Sequence, residues 1–250
     1  MEFVLLFLAG LAAGSFLNVC IHRLPRRESV VRPASRCLDC GARLNAVDLV
    51  PVLSWLVLRG RCRYCGLPIN PRYPLVELLT GSAFAGAYLA IGPDPFALAK
   101  ALFFVALLIV AAFTDLEHML IPNRLILAGL AGGAVFAVVL PEPGVVSALA
   151  GTAACGGLLL LLAVVSRGGM GGGDVKLAAV VGLFLGLPLG LLVLFVASLL
   201  GSAAGIGMRL GGVLKRGEPL PFGPFIAAGA VVALFWGDAV LDWYLAGFFR

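Results

Sequence analysis

Two aspartates beside long apolar segments are the residues whose surroundings could support chemistry. Asp174 follows a glycine-rich run, with five glycines among the six residues from Gly168 to Gly173, and Asp115 ends another apolar segment. An acid beside or inside a bilayer is costly, which makes each a functional candidate. Asp174 could instead be a helix N-cap. Capping does not explain Asp115, because the helix dipole disfavours a carboxylate at a helix C-terminus.

Two carboxylates that share one site cannot both ionise cheaply, so one keeps a proton while the other can act as a base. Such a pair can activate water against a peptide carbonyl while the protonated partner polarises that carbonyl. Glu117 and His118 could compete for this role. Glu117 should point to another side of its helix, and His118 is better interpreted as an interfacial residue. The chain has no HExxH pattern.

Four cysteines form a second chemical pattern. Cys37 and Cys40 make one C-x2-C pair, Cys62 and Cys65 make another, and a glycine follows each pair. Four thiolates favour tetrahedral zinc, and all four positions are then filled, so the expected site is structural. Two disulfides, or a redox pair, are the alternatives. Disulfides are rare in a reducing cytoplasm, where we expect this segment to lie.

The composition defines the setting of these residues. The chain has 250 residues, of which 61% are hydrophobic and 12% charged, about half the charge of an ordinary soluble domain. We therefore predict an all-α polytopic membrane protein that contacts the lipid bilayer and does not bind nucleic acid. The first apolar run, from Phe3 to Ile21, is predicted to be a retained span rather than a cleaved signal. A span needs about 20 apolar residues. Eight spans are expected, at residues 3–21, 74–91, 97–114, 122–140, 145–166, 175–187, 188–209 and 224–247, and the pair on either side of Pro188 is the least regular.

The basic residues predict how these spans are oriented. Ten arginines lie between His22 and Tyr73. If that segment is cytoplasmic and eight spans follow the predicted order, sixteen of the eighteen basic residues lie on the cytoplasmic side, and Lys100 and Arg250 are the exceptions. Seven spans would place Lys215 and Arg216 outside. Gly186-Leu187-Pro188 could be either a tight turn between two spans or a kink in one helix.

These observations predict three regions: a first span at 1–21, a cytoplasmic zinc-knuckle loop at 22–73 and a transmembrane bundle at 74–250. The loop is too small to bury much of a hydrophobic core, so a bound metal ion is expected to stabilise it. Glu77 lies about one turn into the second span. It could pair with a loop arginine such as Arg72, or it could have a functional role.

Several ordered motifs resemble the type IV prepilin peptidases, a family of GxGD intramembrane aspartic proteases. The resemblance covers about residues 10 to 230. It is carried by the Asp115 and Asp174 segments, the paired C-x2-C loop and three further runs, namely Gly14-Ser15-Phe16-Leu17-Asn18-Val19, Arg72-Tyr73-Pro74-Leu75-Val76-Glu77 and Pro221-Phe222-Gly223-Pro224-Phe225.

The resemblance implies an enzyme of the bacterial inner membrane that removes the basic leader of type IV prepilins and type II secretion pseudopilins. Asp115 and Asp174 would be the catalytic pair, and Gly171 and Gly173 would give the backbone beside Asp174 freedom to meet substrate. Many bacterial members with the cysteine loop also methylate the new amino terminus from S-adenosylmethionine, and Glu77 is a candidate for that reaction. The alternatives are a peptidase without methyl transfer and a proton-coupled transporter or assembly factor.

Overall fold

The computed structural model describes residues 1–166, 169–215 and 218–248. The predictions that concern Arg167, Gly168, Arg216 and Arg250 lie outside these residues. Every regular element of the described chain is helical, apart from two isolated antiparallel bridges in the cysteine segment. The α-helices are α1 (Glu2–Arg23), α2 (Leu53–Val57), α3 (Arg72–Ile91), α4 (Pro95–His118), α5 (Asn123–Val139), α6 (Val145–Val165), α7 (Gly172–Leu210) and α8 (Gly223–Phe248).

The all-helical membrane architecture agrees with the sequence prediction. Six of the described helices, α1, α3, α4, α6, α7 and α8, are long and apolar enough to cross a bilayer, and α5 is a shorter apolar helix of 17 residues. Every predicted span therefore corresponds to an apolar helix, with ends that differ by one residue at α5 and α6, and the two segments on either side of Pro188 share α7. The count of eight is approximate by this measure.

Helix α7 reverses direction at Gly186. It contains 39 residues, which as a straight helix would be about 58 Å long, roughly twice the apolar thickness of a bilayer. Gly186 has a φ of 77°, a left-handed value that favours glycine. A Cβ on Gly190 would lie 3.3 Å from the Cα of Gly182, whereas a continuous helix separates residues eight apart by about 12 Å. This contact indicates a tight turn rather than a gentle kink.

The chain divides into two compact units, Met1–Val110 and Ala111–Arg250. In the first unit, α1 and α3 pack antiparallel at a close distance. A Cβ on Gly10 would lie 2.7 Å from the Cα of Gly81, and one on Gly14 would lie 2.7 Å from the Cα of Glu77. Small residues four apart allow such a close approach of membrane helices. The segment between α1 and α3 carries the four paired cysteines.

In the second unit, α7 packs closely against both α6 and α8. The first half contacts α6, where Gly151 lies against Gly182 and Gly186. The second half contacts α8, where a Cβ on Gly229 would lie 2.8 Å from the carbonyl oxygen of Val193. The N-terminal ends of α7 and α8 both contribute to the site described below.

We expect Gly151→Ala to destabilise the second unit. The added Cβ would lie 2.5 Å from the carbonyl oxygen of Gly182 and 2.6 Å from the carbonyl carbon of Gly186, and both are backbone atoms that cannot move alone. Overpacking of this kind costs about 1–3 kcal/mol. Thermal unfolding in detergent measures the loss. Gly157→Ala is the matched control on the same helix, because nothing lies within 4 Å of its added Cβ. Equal melting temperatures for the two variants would contradict the close packing.

Candidate functional site: a buried carboxylate pair and a four-cysteine cluster

Asp115 lies in the last turn of α4 and is held from two directions. The helix ends at His118, after which Met119 takes a left-handed φ of 52° and its N–H donates to the carbonyl oxygen of Asp115 at 2.9 Å. The carboxylate Oδ2 accepts a hydrogen bond of 2.9 Å from the backbone N–H of Gly223, at the start of α8. The first N–H groups of a helix have no partner within the helix, so they are available to such an acceptor.

Asp174 lies in the first turn of α7. The N-cap of this helix is Gly171. Asp174 lies three residues later, so the alternative interpretation of Asp174 as an N-cap is wrong. Asp115 and Asp174 are 6% and 8% exposed and lie close enough to interact electrostatically. Asp174 Oδ1 has no hydrogen-bond partner among the described residues. The second unit thus brings together the two carboxyls that the sequence singled out.

Glu117, the competing acid, is exposed. Its position two residues after Asp115 directs it to another side of α4, in agreement with the sequence argument. His118 lies 4.0 Å from the carboxylate of Glu117, measured between Nε2 and Oε2. The buried acids at this end of the second unit are therefore Asp115 and Asp174.

The spacing of the glycine motif has a packing explanation. A Cβ on Gly171 would lie 3.1 Å from Oδ2 of Asp174, and one on Gly173 would lie 3.2 Å from the Cβ of Ile121. The intervening Gly172 has nothing within 4 Å. Both outer glycines therefore permit close contact, one with the carboxylate and one with the connection between α4 and α5. Their role in backbone freedom remains a prediction.

Two contacts were not predicted from the sequence. Lys176 Nζ donates to Asn123 Oδ1 at 2.9 Å, which ties the first turn of α7 to the start of α5. Gly223, the donor to Asp115, belongs to a run that was quoted only for its resemblance. The signal that could have found it is the Gly-Pro pair, since proline is common in the first turn of a helix, where backbone N–H groups have no helical partners.

The four paired cysteines form one cluster in the first unit. Their Sγ atoms lie within 4.8 Å of one another, and Cys37 Sγ is 4.0 Å from Cys65 Sγ. Tetrahedral zinc with Zn–S bonds of about 2.3 Å places its sulfurs about 3.8 Å apart, so the cluster could hold a metal ion of this kind. All six cysteines lie within the described chain and none forms a disulfide.

Each C-x2-C pair forms the same tight knuckle. The N–H of Gly41 donates to the carbonyl oxygen of Cys37 at 3.0 Å, and that of Gly66 donates to Cys62 at 2.9 Å. Both glycines have positive φ, 72° and 73°, with nothing within 4 Å of an added Cβ. Glycine is therefore required by the backbone conformation rather than by space, as the sequence predicted.

Hydrogen bonds within the knuckles separate the acidities of two thiols. Backbone N–H groups of Cys65 and Tyr64 donate toward Cys62 and lower its pKa to about 7. The N–H of Leu67 lowers the pKa of Cys65, but desolvation and the neighbouring sulfurs outweigh it and raise that pKa to about 12. A thiolate is therefore available at neutral pH, and it is the thiolate that ligates metal.

A cavity of about 570 Å³ lies in the first unit, lined by α1, the cysteine segment and the start of α3. Its volume falls in the range of small-molecule sites. Glu77, 7% exposed, lines this cavity and accepts a hydrogen bond of 2.7 Å from the N–H of Val52, a residue with a strained φ of 60°. Glu77 also interacts with the hydroxyl of Ser15. The guanidinium of Arg72 lies over the ring of Tyr73, 4.8 Å from its centroid.

The fold and the site define a polytopic helical membrane protein with a buried pair of aspartates and a four-cysteine cluster. Residues 8–91 match the bacterial peptidase A24 N-terminal domain, and residues 102–206 match the type IV leader peptidase family. The chain belongs to the type IV leader peptidase family, as the sequence motifs indicated.

Three curated relatives carry the name prepilin leader peptidase/N-methyltransferase. The one from Bacillus subtilis (strain 168) is 38% identical over 241 residues, 96% of this chain and 97% of the relative. The one from Aeromonas hydrophila is 38% identical over 275 residues, 98% of this chain and 94% of the relative. The one from Myxococcus xanthus (strain DK1622) is 44% identical over 213 residues, 83% of this chain and 63% of the relative. No solved structure matches the chain.

Proposed function

We propose that this protein is an aspartic endopeptidase that cleaves the leader from type IV prepilins and from type II secretion pseudopilins, with Asp115 and Asp174 as its catalytic pair. The observation that carries the proposal is the burial of these two carboxyls in one site of the second unit. Membership in the leader peptidase family and the names of the relatives support the substrate class.

The chemistry follows from two carboxyls that share a site. One ionised carboxylate accepts a proton from water, and the other, still protonated, donates a hydrogen bond to the scissile carbonyl oxygen. The N–H of Gly223 donates to Asp115 Oδ2 and so limits the orientations available to that carboxylate. Gly171 and Gly173 would let an extended substrate strand approach the backbone beside Asp174, because helical substrate would hide its peptide carbonyls.

The proposed setting is the bacterial inner membrane, with the cysteine segment and the carboxylate pair at the cytoplasmic face of the lipid bilayer. The distribution of basic residues supports this orientation. A substrate with a basic leader would leave that leader on the cytoplasmic side, which brings its scissile bond to the depth of both aspartates. Incubation of the purified protein with full-length prepilin and S-adenosylmethionine tests both reactions. Mass spectrometry should detect a leader-free pilin and a methylated amino terminus.

Methyl transfer is the second proposed activity, and the cavity of the first unit supports it. The relatives are named for both reactions, and the cavity lies in the region, residues 8–91, that matches the bacterial peptidase A24 N-terminal domain. S-adenosylmethionine would supply the methyl group. Glu77 is the proposed participant from this chain, since it is a buried acid on the cavity wall. Cleavage without methylation in the assay would reduce the proposal to the peptidase alone.

Zinc is the proposed metal of the cysteine cluster, held by Cys37, Cys40, Cys62 and Cys65. Four sulfurs with the spacing described above match tetrahedral zinc and leave no position for substrate. The metal would therefore stabilise the segment between α1 and α3 rather than take part in catalysis. Asp48 adds a contact to this segment, since it accepts a hydrogen bond of 2.7 Å from Arg63 Nε, beside the second knuckle.

We expect the purified protein to contain one zinc ion per chain, and Cys37→Ser to lose zinc and to melt at a lower temperature. Cleavage should partly survive in this variant, because both aspartates belong to the other unit. Protons compete with metal for the thiolates, so zinc retention should fall as the pH is lowered. Elemental analysis and thiol titration measure both effects. Zinc-free protein with two intact disulfides would contradict the assignment.

A further inference from the structure

The inner wall of the cavity carries a buried carboxylate without a cation. Glu77 accepts hydrogen bonds from the N–H of Val52 and the hydroxyl of Ser15, and it forms no ion pair with any described residue. An ionised carboxylate offers about four acceptor positions, so these two donors leave some of the acceptor positions of Glu77 unoccupied. Burying a charge is costly unless it is paired. A cationic donor that entered the cavity would offset this cost.

Asn18 provides a second unused acceptor on the same wall. Its side chain is 2% exposed and lines the cavity. Its Nδ2 donates to the carbonyl oxygens of Gly14 and Tyr73, at 3.3 and 3.0 Å, and these two bonds fix which way the amide points. Its Oδ1 is buried with no partner among the described residues. Nearly all buried polar atoms are hydrogen-bonded, so this oxygen indicates a donor supplied by a ligand.

The two acceptors belong to one contact between α1 and α3. Asn18 bonds to Tyr73, which lies one helical turn before Glu77, and Ser15 lies one turn before Asn18 and bonds to Glu77. A carboxylate and an amide oxygen together attract a group that is cationic and has several N–H donors. A primary ammonium has a positive charge and three donors. A phosphate or a carboxylate would be repelled by Glu77.

We propose that Glu77 and Asn18 form a binding site for a primary ammonium group, an assignment that rests on the proposed methyl transfer and extends it to named atoms. Two ligands of that reaction carry this group: the free amino terminus of a cleaved pilin and the amino-acid end of S-adenosylmethionine. For the amino terminus, Glu77 would also accept one proton from the ammonium. The freed nitrogen lone pair then forms the N–CH3 bond while the S–CH3 bond breaks and its electron pair stays on sulfur.

Glu77→Gln is the decisive variant, because glutamine keeps an acceptor for the N–H of Val52 while it removes the charge. Binding of three probes is measured by calorimetry in detergent: a short peptide with a free amino-terminal phenylalanine, its N-acetylated twin, and S-adenosylmethionine. Loss of a charged hydrogen bond should weaken the binding of one ammonium-bearing probe about tenfold or more. Asn18→Ala should weaken the same probe, and the acetylated peptide should bind equally to all proteins.

The arms of this experiment separate the two sources and the two proposals. If the variants bind the free peptide more weakly but bind S-adenosylmethionine normally, the site receives the amino terminus of the pilin. The reverse result assigns the site to the methyl donor. Equal binding of both probes to Glu77→Gln and to the unmodified protein would overturn the ammonium site, even if methylation proceeds. Glu28→Gln, an exposed acid of the same cavity, is the matched control. Zinc content and prepilin cleavage check that each variant is folded.

Discussion

Asp115→Asn and Asp174→Asn are each expected to abolish prepilin cleavage while the protein remains folded and inserted. An amide can neither accept the proton of the attacking water nor hold the shared proton of a carboxyl pair. Loss of general acid–base catalysis costs on the order of a thousandfold or more. Asparagine nearly matches aspartate in shape, so the amide oxygen of the Asp115→Asn variant should still accept the hydrogen bond from the N–H of Gly223. The measurement is the rate of leader removal by purified protein.

The conservative change to glutamate should also fail. A longer side chain moves the carboxylate by about 1 Å, and such a displacement can cost on the order of a hundredfold in rate. Asp94→Asn is the control, because Asp94 is exposed and lies in the connection between α3 and α4. It should cleave at the unmodified rate. A folded Asp174→Asn protein that processes prepilin normally would show that the pair has been assigned wrongly.

Gly223→Ala is expected to reduce cleavage by about tenfold to a hundredfold with little change in overall folding. The added Cβ would lie 2.9 Å from Asp115 Oδ2 and 3.2 Å from its Cγ, closer than such atoms pack. The carboxylate must therefore shift away from the position at which it receives the N–H of Gly223. The predicted loss is in kcat, because the change displaces a reacting group and leaves substrate contacts in place.

Gly207→Ala is the matched control for this glycine. Gly207 lies in the second half of α7, and an added Cβ there has nothing within 4 Å. It should cleave prepilin at the unmodified rate and be at least as stable, since alanine favours helix over glycine by about 1 kcal/mol. If Gly223→Ala were as active as Gly207→Ala, the contact between Gly223 and Asp115 would have no role in catalysis.

The glycines illustrate how far a sequence can be interpreted. Positive φ after each C-x2-C pair was predictable, because a knuckle requires a tight turn that glycine adopts at little cost. The reason for Gly171 and Gly173 was not predictable. Their neighbours, the Asp174 carboxylate and Ile121, depend on how α7 packs near the connection between α4 and α5. Sequence spacing contains no information on that packing.

Local chemistry is what the sequence by itself determined. Apolar length predicted the helices, the paired cysteine spacing predicted the cluster, and the placement of Asp115 and Asp174 at helix ends identified the acids. The choice between a turn and a kink at Gly186, the donation from Gly223 to Asp115 and the unused acceptor of Asn18 were decided only by the tertiary structure. Each joins residues through the packing of helices, and helices of similar apolar composition can pack in many ways until close contacts between small residues select one.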